Sequence, residues 1–341
     1  MALDRSARKP ARTPRDAAFC GWILVTAAFI AMPAHGVTPA PPSCPAPAMT
    51  PAPISSVVRT AVIDDCLTVE GQQMAARLLD NRLSIGVHVN GNGPFQFPVD
   101  SGADRSVIGA ALAKQLGLPA GETVRVNDVK GATEIATFLV DTLKVGESST
   151  FAVSAPALPE QALGAQGILG VDALADRRVM LDFQNNSITL EEASQPEKIG
   201  PDEIVVVGRR RHGQLILTQV RVEGLSIYAL IDTGSDVTIG NIPLMEKIAG
   251  SRHPPVHVDL ILNSVTGRSV PASGVYISRI EIGALRIRNL RVAFADVAPF
   301  AVFGLADRPA LLLGTDALRG LRRMSLDFHQ YRVRFQLKNQ G

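Results

Sequence analysis

Leu83-Ser-Ile-Gly-Val-His-Val-Asn-Gly-Asn-Gly-Pro-Phe-Gln-Phe-Pro-Val-Asp-Ser-Gly102 and Leu215-Ile-Leu-Thr-Gln-Val-Arg-Val-Glu-Gly-Leu-Ser-Ile-Tyr-Ala-Leu-Ile-Asp-Thr-Gly234 can be laid side by side without a gap, 132 positions apart. In the first copy Leu83, Ile85, Val87 and Val89 fall on one face, the two-residue period of a half-buried strand. Asn90-Gly-Asn-Gly-Pro94 then turns the chain into an apolar run that delivers Asp100-Ser101-Gly102, and the second copy delivers Asp232-Thr233-Gly234 in the same way. A lone D-[ST]-G triplet arises by accident about once in a few thousand positions. Such a triplet is usually a plain turn, with Asp bonding nearby backbone. Two copies in matching surroundings need another explanation.

The correspondence continues downstream. Asn127-Asp-Val-Lys-Gly131 answers Asn263-Ser-Val-Thr-Gly267, Gly167-Ile-Leu-Gly170-Val-Asp172 answers Leu311-Leu-Leu-Gly314-Thr-Asp316, and Met180-Leu-Asp182-Phe183 answers Ser325-Leu-Asp327-Phe328. Four matches in one order mean duplication of a unit of about 110 residues, domain-sized rather than solenoid-sized.

An apolar strand ending in D-[ST]-G, a glycine-bearing hairpin tens of residues later and an apolar-apolar-Gly phrase before a short helix resemble the retropepsin-like aspartic proteases. The resemblance covers residues 82–192 and 214–338. Retroviral members build one active site from two identical chains, whereas pepsin-like members carry both halves on one chain. This sequence resembles the second arrangement built from units of the first kind. The resemblance implies a mostly β protein of two retropepsin-like barrel lobes related by a pseudo-twofold axis, with the triplet loops meeting at the floor of a cleft. It implies catalysis by Asp100 and Asp232. Ser101 and Thr233 would lock the two loops together, and Gly102 and Gly234 would let them approach. Asp104 and Asp236 would receive the backbone of an extended substrate. Gly131 and Gly267 would sit at the tips of flap hairpins that close over it.

The chemistry suits the residue types. Peptide hydrolysis without a metal or a covalent nucleophile needs a water deprotonated as it attacks and a carbonyl oxygen protonated at the same time. Two carboxyls sharing one proton can do both. Their apparent pKa values would belong to the pair. The repeats differ beside the dyad: Ser235 stands where the first copy has Ala103. A hydroxyl there would favour the ionised form of Asp232 and leave the proton on Asp100. Calcium binding by Asp100 and Asp104 lacks the ladder of oxygen ligands and the closing Glu of a calcium loop.

Composition narrows the remaining classes. The 341 residues allow two domains with ample cores. A net charge of +2 with scattered arginines, three Tyr and one Trp gives no nucleic-acid signature. There is no G-x-S-x-G, Walker loop or HExxH. His253-Pro-Pro-Val-His257 has the spacing of a helical metal pair, but its prolines oppose a helix. Neither metal nor organic cofactor is expected. The expected partner is polypeptide substrate, and a monomer acting as a pseudo-dimer is favoured over a homodimer. The alternatives are a non-catalytic peptide-binding module of the same fold, or a protease whose repeats pair between chains.

The N-terminal part has its own logic. Residues 1–36 carry five basic residues, the uncharged run Ala17–Met32 and then small residues, which reads as a secretory signal or, uncleaved, as an inner-membrane anchor through residues 17–32. With a lean towards Arg, Ala and Pro that suggests a bacterial coding sequence, the expected location is periplasmic or secreted. Residues 37–81 begin as a Pro/Ala-rich tether and end in a short segment for which Gly71–Leu79 is expected to be helical. Cys44 and Cys66 could pair in an oxidising compartment or stay as thiols. Residues 82–192 form the first lobe, 193–213 a linker in which Ile204–Val207 has strand composition, and 214–341 the second lobe.

Overall fold

The computed structural model describes residues 23–24, 31–33, 72–79, 81–128, 131–174, 177–193, 203–211, 214–249 and 257–338. The tether, Cys44, Cys66, the first histidine of the His-Pro-Pro pair and parts of the linker lie outside them. The protein is mostly β, 59% strand and 13% helix, and contains a closed six-stranded barrel. Each repeat folds as the sequence pattern demands. Strand Arg82–Val89 pairs with Asn92–Pro98, and Gln214–Val222 pairs with Leu225–Ile231, both antiparallel hairpins. Leu83, Ile85, Val87 and Val89 are all buried, but Ser84 and Arg82 are buried as well, so this strand is enclosed on both faces rather than one.

The lobes meet in one antiparallel sheet. Its order is Gln72–Ala75, Ser187–Glu192, Arg177–Asp182, Leu321–Asp327, Arg332–Leu337, Glu203–Arg211, two strands on each side of the central pair Arg177–Asp182 and Leu321–Asp327. The register of the central pair is Arg178↔Asp327, Met180↔Ser325 and Asp182↔Arg323. Arg178 and Arg323 are repeat equivalents, as are Asp182 and Asp327, so the register places a pseudo-twofold axis between Met180 and Ser325. Gly71–Leu79, expected to be helical, instead forms strands Gln72–Ala75 and Arg77–Leu79. Its Gln-Gln-Met-Ala sequence has helix propensity, but the edge of the Ser187–Glu192 strand offers backbone partners that outweigh it. Glu203–Arg211 is the counterpart at the opposite edge and continues into pairing with Gln214–Val222.

Charge reinforces the axis reciprocally. Arg178, 2% exposed, donates to Asp327 Oδ2 at 3.2 Å and to Glu191 Oε2 at 2.9 Å. Arg323 donates to Asp182 Oδ2 at 2.6 Å. Each aspartate uses its other oxygen to accept the backbone N–H groups of the turn that follows, Gln184 and Asn185 for Asp182, His329 and Gln330 for Asp327. Burial alone would raise the Asp182 carboxyl, but the bonds from Arg323 and Asn185 outweigh it and hold the group below its ordinary range. The stability it supplies is therefore present above that range and lost as pH falls through the lowered value. Among the described residues no helix is long and apolar enough to cross a membrane.

Removing one partner of a buried pair strands a charge, which costs roughly 3–5 kcal/mol. Arg178→Ala is expected to destabilise by that amount in urea unfolding. Arg323→Ala strands Asp182, whose side chain is 2% exposed, and is expected to cost a comparable amount; a loss under about 1 kcal/mol in either variant would contradict the reading that the stranded carboxylate sets the cost.

Candidate active site

Each triplet loop hangs from a parallel strand pairing made by its own repeat. Val99 bridges Leu169 in parallel, and Asp100 N–H donates to Leu169 O at 3.0 Å. In the second repeat Ile231 pairs with Leu313, and Asp232 N–H donates to Leu313 O at 3.0 Å. The apolar-apolar-Gly phrase is thus the rail on which each aspartate is mounted. Its glycine is required for contact: a Cβ on Gly170 would overlap the backbone of Arg105, and one on Gly314 the backbone of Val237. Pro98 ends its strand, and its carbonyl accepts Leu169 N–H at 2.9 Å, so the missing donor leaves that rail intact.

The two loops interlock. Ser101 Oγ donates to Ile231 O at 2.9 Å, and Thr233 Oγ1 donates to Val99 O at 2.8 Å. Ser101 N–H donates to Thr233 Oγ1 at 2.9 Å, and Thr233 N–H donates to Ser101 Oγ at 3.2 Å. Every one of these bonds crosses between the repeats. Inside each loop, one carboxylate oxygen accepts two backbone N–H groups. Asp100 Oδ1 takes Gly102 and Ala103 at 2.7 and 3.1 Å, and Asp232 Oδ1 takes Gly234 and Ser235, both at 3.1 Å. Both aspartates are buried, 0% and 1% exposed. A Cβ on Gly234 would overlap the Asp100 carboxyl, so the first acid lies directly against the second loop. Close approach is the reason for glycine at that position; neither Gly102 nor Gly234 has a positive φ.

Other expected site residues are placed less symmetrically. Asp104 is partly exposed, whereas Asp236 is buried with its Oδ1 3.9 Å from Arg82 Nε. Arg82 is itself buried, and its Nη2 donates to Leu163 O at 2.6 Å, so this cation joins the two lobes. Gly131 opens the second strand of the hairpin Val124–Asp128 and Gly131–Ile135, with φ +119. Gly267, with φ +79, lies in the loop between His257–Asn263 and Ser269–Ile282. The hairpins touch: Arg268 Nη1 donates to Thr133 Oγ1 at 2.6 Å. Val265 is fully buried in the apolar cluster that also holds Val126 and Ala103. The expectation that Ser235 would stabilise an ionised Asp232 through its hydroxyl is not met. That hydroxyl donates to Val237 O at 2.7 Å, and only the Ser235 backbone N–H reaches Asp232.

One symmetric support escaped sequence reasoning. Asp172 Oδ1 accepts the N–H and hydroxyl of Ser106 at 2.8 and 2.7 Å, and Asp316 accepts the N–H and hydroxyl of Thr238 at 3.0 and 2.6 Å. These bonds tie the chain just past each triplet to the turn after each rail. The signal was present, since a hydroxyl stands six residues after the aspartate, and an Asp two after the glycine, in both repeats. Among the described residues there is no cluster of three or more His, Cys, Asp or Glu side chains arranged to hold a metal.

Comparison with protein families agrees with this geometry. A model described as "gag-polyprotein putative aspartyl protease" matches residues 85–176, and one described as "Aspartyl protease" matches residues 218–317. The chain belongs to the retropepsin-like aspartyl proteases, with two repeats in tandem. Each match contains one triplet and one rail. No curated protein matches the chain.

Asp172 and Asp316 are exposed as whole residues, but the protein packed around each carboxyl desolvates it and raises it, against the pull of the Ser106, Thr238 and neighbouring backbone bonds. For a raised acid the stabilising contribution is complete below its ordinary value and is lost as pH rises through the raised one. Asn at both positions keeps an accepting oxygen without the charge. The Asp172→Asn/Asp316→Asn chain is therefore expected to melt like the parent near pH 3.5 and no lower than the parent at pH 7. A melting point below the parent at pH 7 would contradict this.

Proposed function

We propose that this protein is an aspartic endopeptidase that hydrolyses extended polypeptide with a water held between Asp100 and Asp232. The observation that carries the reading is the reciprocal locking of the two triplets, which brings two buried acids to one junction. In the step, one carboxylate takes a proton from water as its oxygen attacks the scissile carbon, while the protonated partner gives its proton to the carbonyl oxygen. The resulting diol collapses: the C–N bond breaks, the leaving nitrogen takes the proton held by the first acid, and one diol hydroxyl returns its proton to the second acid, which restores the shared proton and leaves a carboxylic acid and an amine. The N–H donors on Asp100 Oδ1 and Asp232 Oδ1 fix the orientation of both carboxyls, so little reorganisation is needed when charge moves.

The closed pair of hairpins supports a polypeptide substrate. Strands Val124–Asp128 and His257–Asn263 offer backbone edges to which an extended peptide can add, and such addition recognises main chain first and side chains second. Asp104 and Asp236 would meet the ends of that peptide in unlike settings, one partly exposed and the other buried beside Arg82. On this reading a single chain is a complete enzyme, and it works outside the cytoplasm, secreted or held at the membrane by its N-terminal stretch.

Incubation of a diverse peptide library with the protein, read by mass spectrometry, tests the reading. Cleavage is expected in the parent and is expected to fall by roughly 10²–10⁴-fold or more in both Asp100→Asn and Asp232→Asn. Equal cleavage in parent and variants would show that another agent cuts.

A further inference from the structure

The strand Gln214–Val222 changes partners part-way along the second lobe, and a cavity opens where it does. Its first residues pair with Glu203–Arg211 and its last with Ser269–Ile282, and its register against Leu225–Ile231 slips between Leu217 and Val220. The slip is a bulge at Thr218 and Gln219, a local device that re-aims side chains. The turn between Ser269–Ile282 and Leu285–Phe294 docks against it, with Gly283 N–H donating to Gln219 O at 3.1 Å. Here lies a cavity of about 580 Å³ whose lining includes Thr218, Gln219, Arg221, Ser226, Glu281 and Arg286. Four of these residues form one rung across four strands: Ser226 is opposite Arg221, Arg221 opposite Glu281, and Glu281 opposite Arg286. Two residues along, on the same face, Arg279 is opposite Arg288, and the Glu223 carboxylate accepts the Ser278 hydroxyl at 2.7 Å and Arg279 N–H at 3.0 Å.

Four arginines thus share this face with two glutamates. Glu281 serves two of them only at a distance, its Oε1 lying 3.9 Å from Arg279 Nε and 3.8 Å from Arg286 Nε, too long for hydrogen bonds. The side chains of Arg279 and Arg286 are 53% and 68% exposed, so a ligand can reach them. The first lobe lacks the feature. Gly146 and Gly283, with φ +58 and +57, mark the same turn in the two lobes. Beside Gly146, Lys144 is opposite His88 and Ser149, and Thr142 is opposite Phe151. The strand pairing therefore does not need the arginines. From Ser226 the strand Leu225–Ile231 runs away from the cavity to Asp232, roughly 20 Å at about 3.3 Å per residue, so the face stands off the acids.

We propose that this face binds the phosphates of anionic lipid headgroups, with the cavity flanked by Arg221 and Arg286 taking one headgroup and Arg279 and Arg288 meeting its neighbours. The forked donors of a guanidinium match phosphate oxygens, and the hydroxyls of Thr218 and Ser226 and the amide of Gln219 add neutral donors beside them. A membrane is the phosphate source that the chain's own sequence favours. Five basic residues followed by the uncharged run Ala17–Met32 read as a stretch handled by a membrane, whereas a net charge of +2 is unlike that of a nucleic-acid binder. Because the face stands off the acids, the binding does not rest on the peptidase reading.

Co-sedimentation of the full chain with phosphatidylcholine vesicles, with and without about 30% phosphatidylglycerol, at about 0.1 M salt tests this. The parent is expected to bind the phosphatidylglycerol vesicles at least about tenfold more tightly than the neutral ones. A chain carrying Arg221→Gln, Arg279→Gln, Arg286→Gln and Arg288→Gln is expected to lose at least about tenfold of that preference, while lysine at the same four positions keeps it. The comparison chain carries Lys114→Gln, Lys144→Gln, Lys247→Gln and Lys338→Gln, an equal loss of charge on other faces, and is expected to change by less than about threefold. All these chains share the N-terminal stretch, so the differences report the face alone. Arg286→Gln/Arg288→Gln, at exposed positions of one strand, is expected to lose at least about fivefold and carries the test if the quadruple variant does not fold. Equal losses in the arginine and lysine chains, or no preference for phosphatidylglycerol in the parent, overturn the proposal. So does tighter binding of duplex DNA than of vesicles that the same arginine changes abolish, which would assign the face to nucleic acid.

Discussion

Ser101 and Thr233 each give a hydroxyl proton to the other repeat's backbone and accept an N–H from the other repeat's triplet. Both side chains are buried, so neither triplet can satisfy its polar groups alone. A hydrogen bond of this kind contributes about 1 kcal/mol net, but a buried donor or acceptor left unmade costs about 1–3 kcal/mol. The asymmetry makes the lobes interdependent: separating the loops would strand several groups at once. The acids sit at the centre of this lock, each already holding two N–H donors, so the arrangement that makes the loops stable is the same one that brings the carboxyls together.

Behind the lock, the interlobe sheet repeats its logic with charges. Arg178 reaches Asp327 across the axis and Arg323 reaches Asp182 back across it, and each carboxylate also secures the turn after its strand. Duplication explains the reciprocity, because a residue and its equivalent face each other only in exchanged pairs around a twofold. Divergence shows where reciprocity was not needed. Arg82 lies beside Asp236, while the position 132 residues on is Gln214, and Asp104 remains partly exposed. The two triplet loops are therefore flanked by different electrostatics.

Much of this was legible in the chain because the repeat supplied its own comparison. The strand alternation from Leu83 to Val89, the triplets and the rail phrase gave the fold class, and the rail glycines mark where one chain passes against another. Legibility failed where tertiary partners decide. Gly71–Leu79 has a helical composition, but its Gln72–Ala75 and Arg77–Leu79 take the strand conformation that neighbouring strand edges offer. The Ser235 hydroxyl could be counted but not aimed, and it bonds Val237 rather than Asp232. The Ser106–Asp172 and Thr238–Asp316 pairs span more than sixty residues each, a separation that spacing rules do not reach, although matching positions in both repeats would have exposed them. Arg82 had no repeat equivalent to draw notice to it.

The central claim is that one chain makes one site from both acids. Calorimetric titration with a peptide whose scissile amide is replaced by a hydroxyl-bearing tetrahedral carbon tests it most directly, since such a group needs both carboxyls at once and mimics the reacting state. The account predicts one ligand per chain, with affinity weakened at least about a hundredfold by Asp100→Asn and by Asp232→Asn alike. One ligand per two chains, or undiminished binding to either variant, would contradict it.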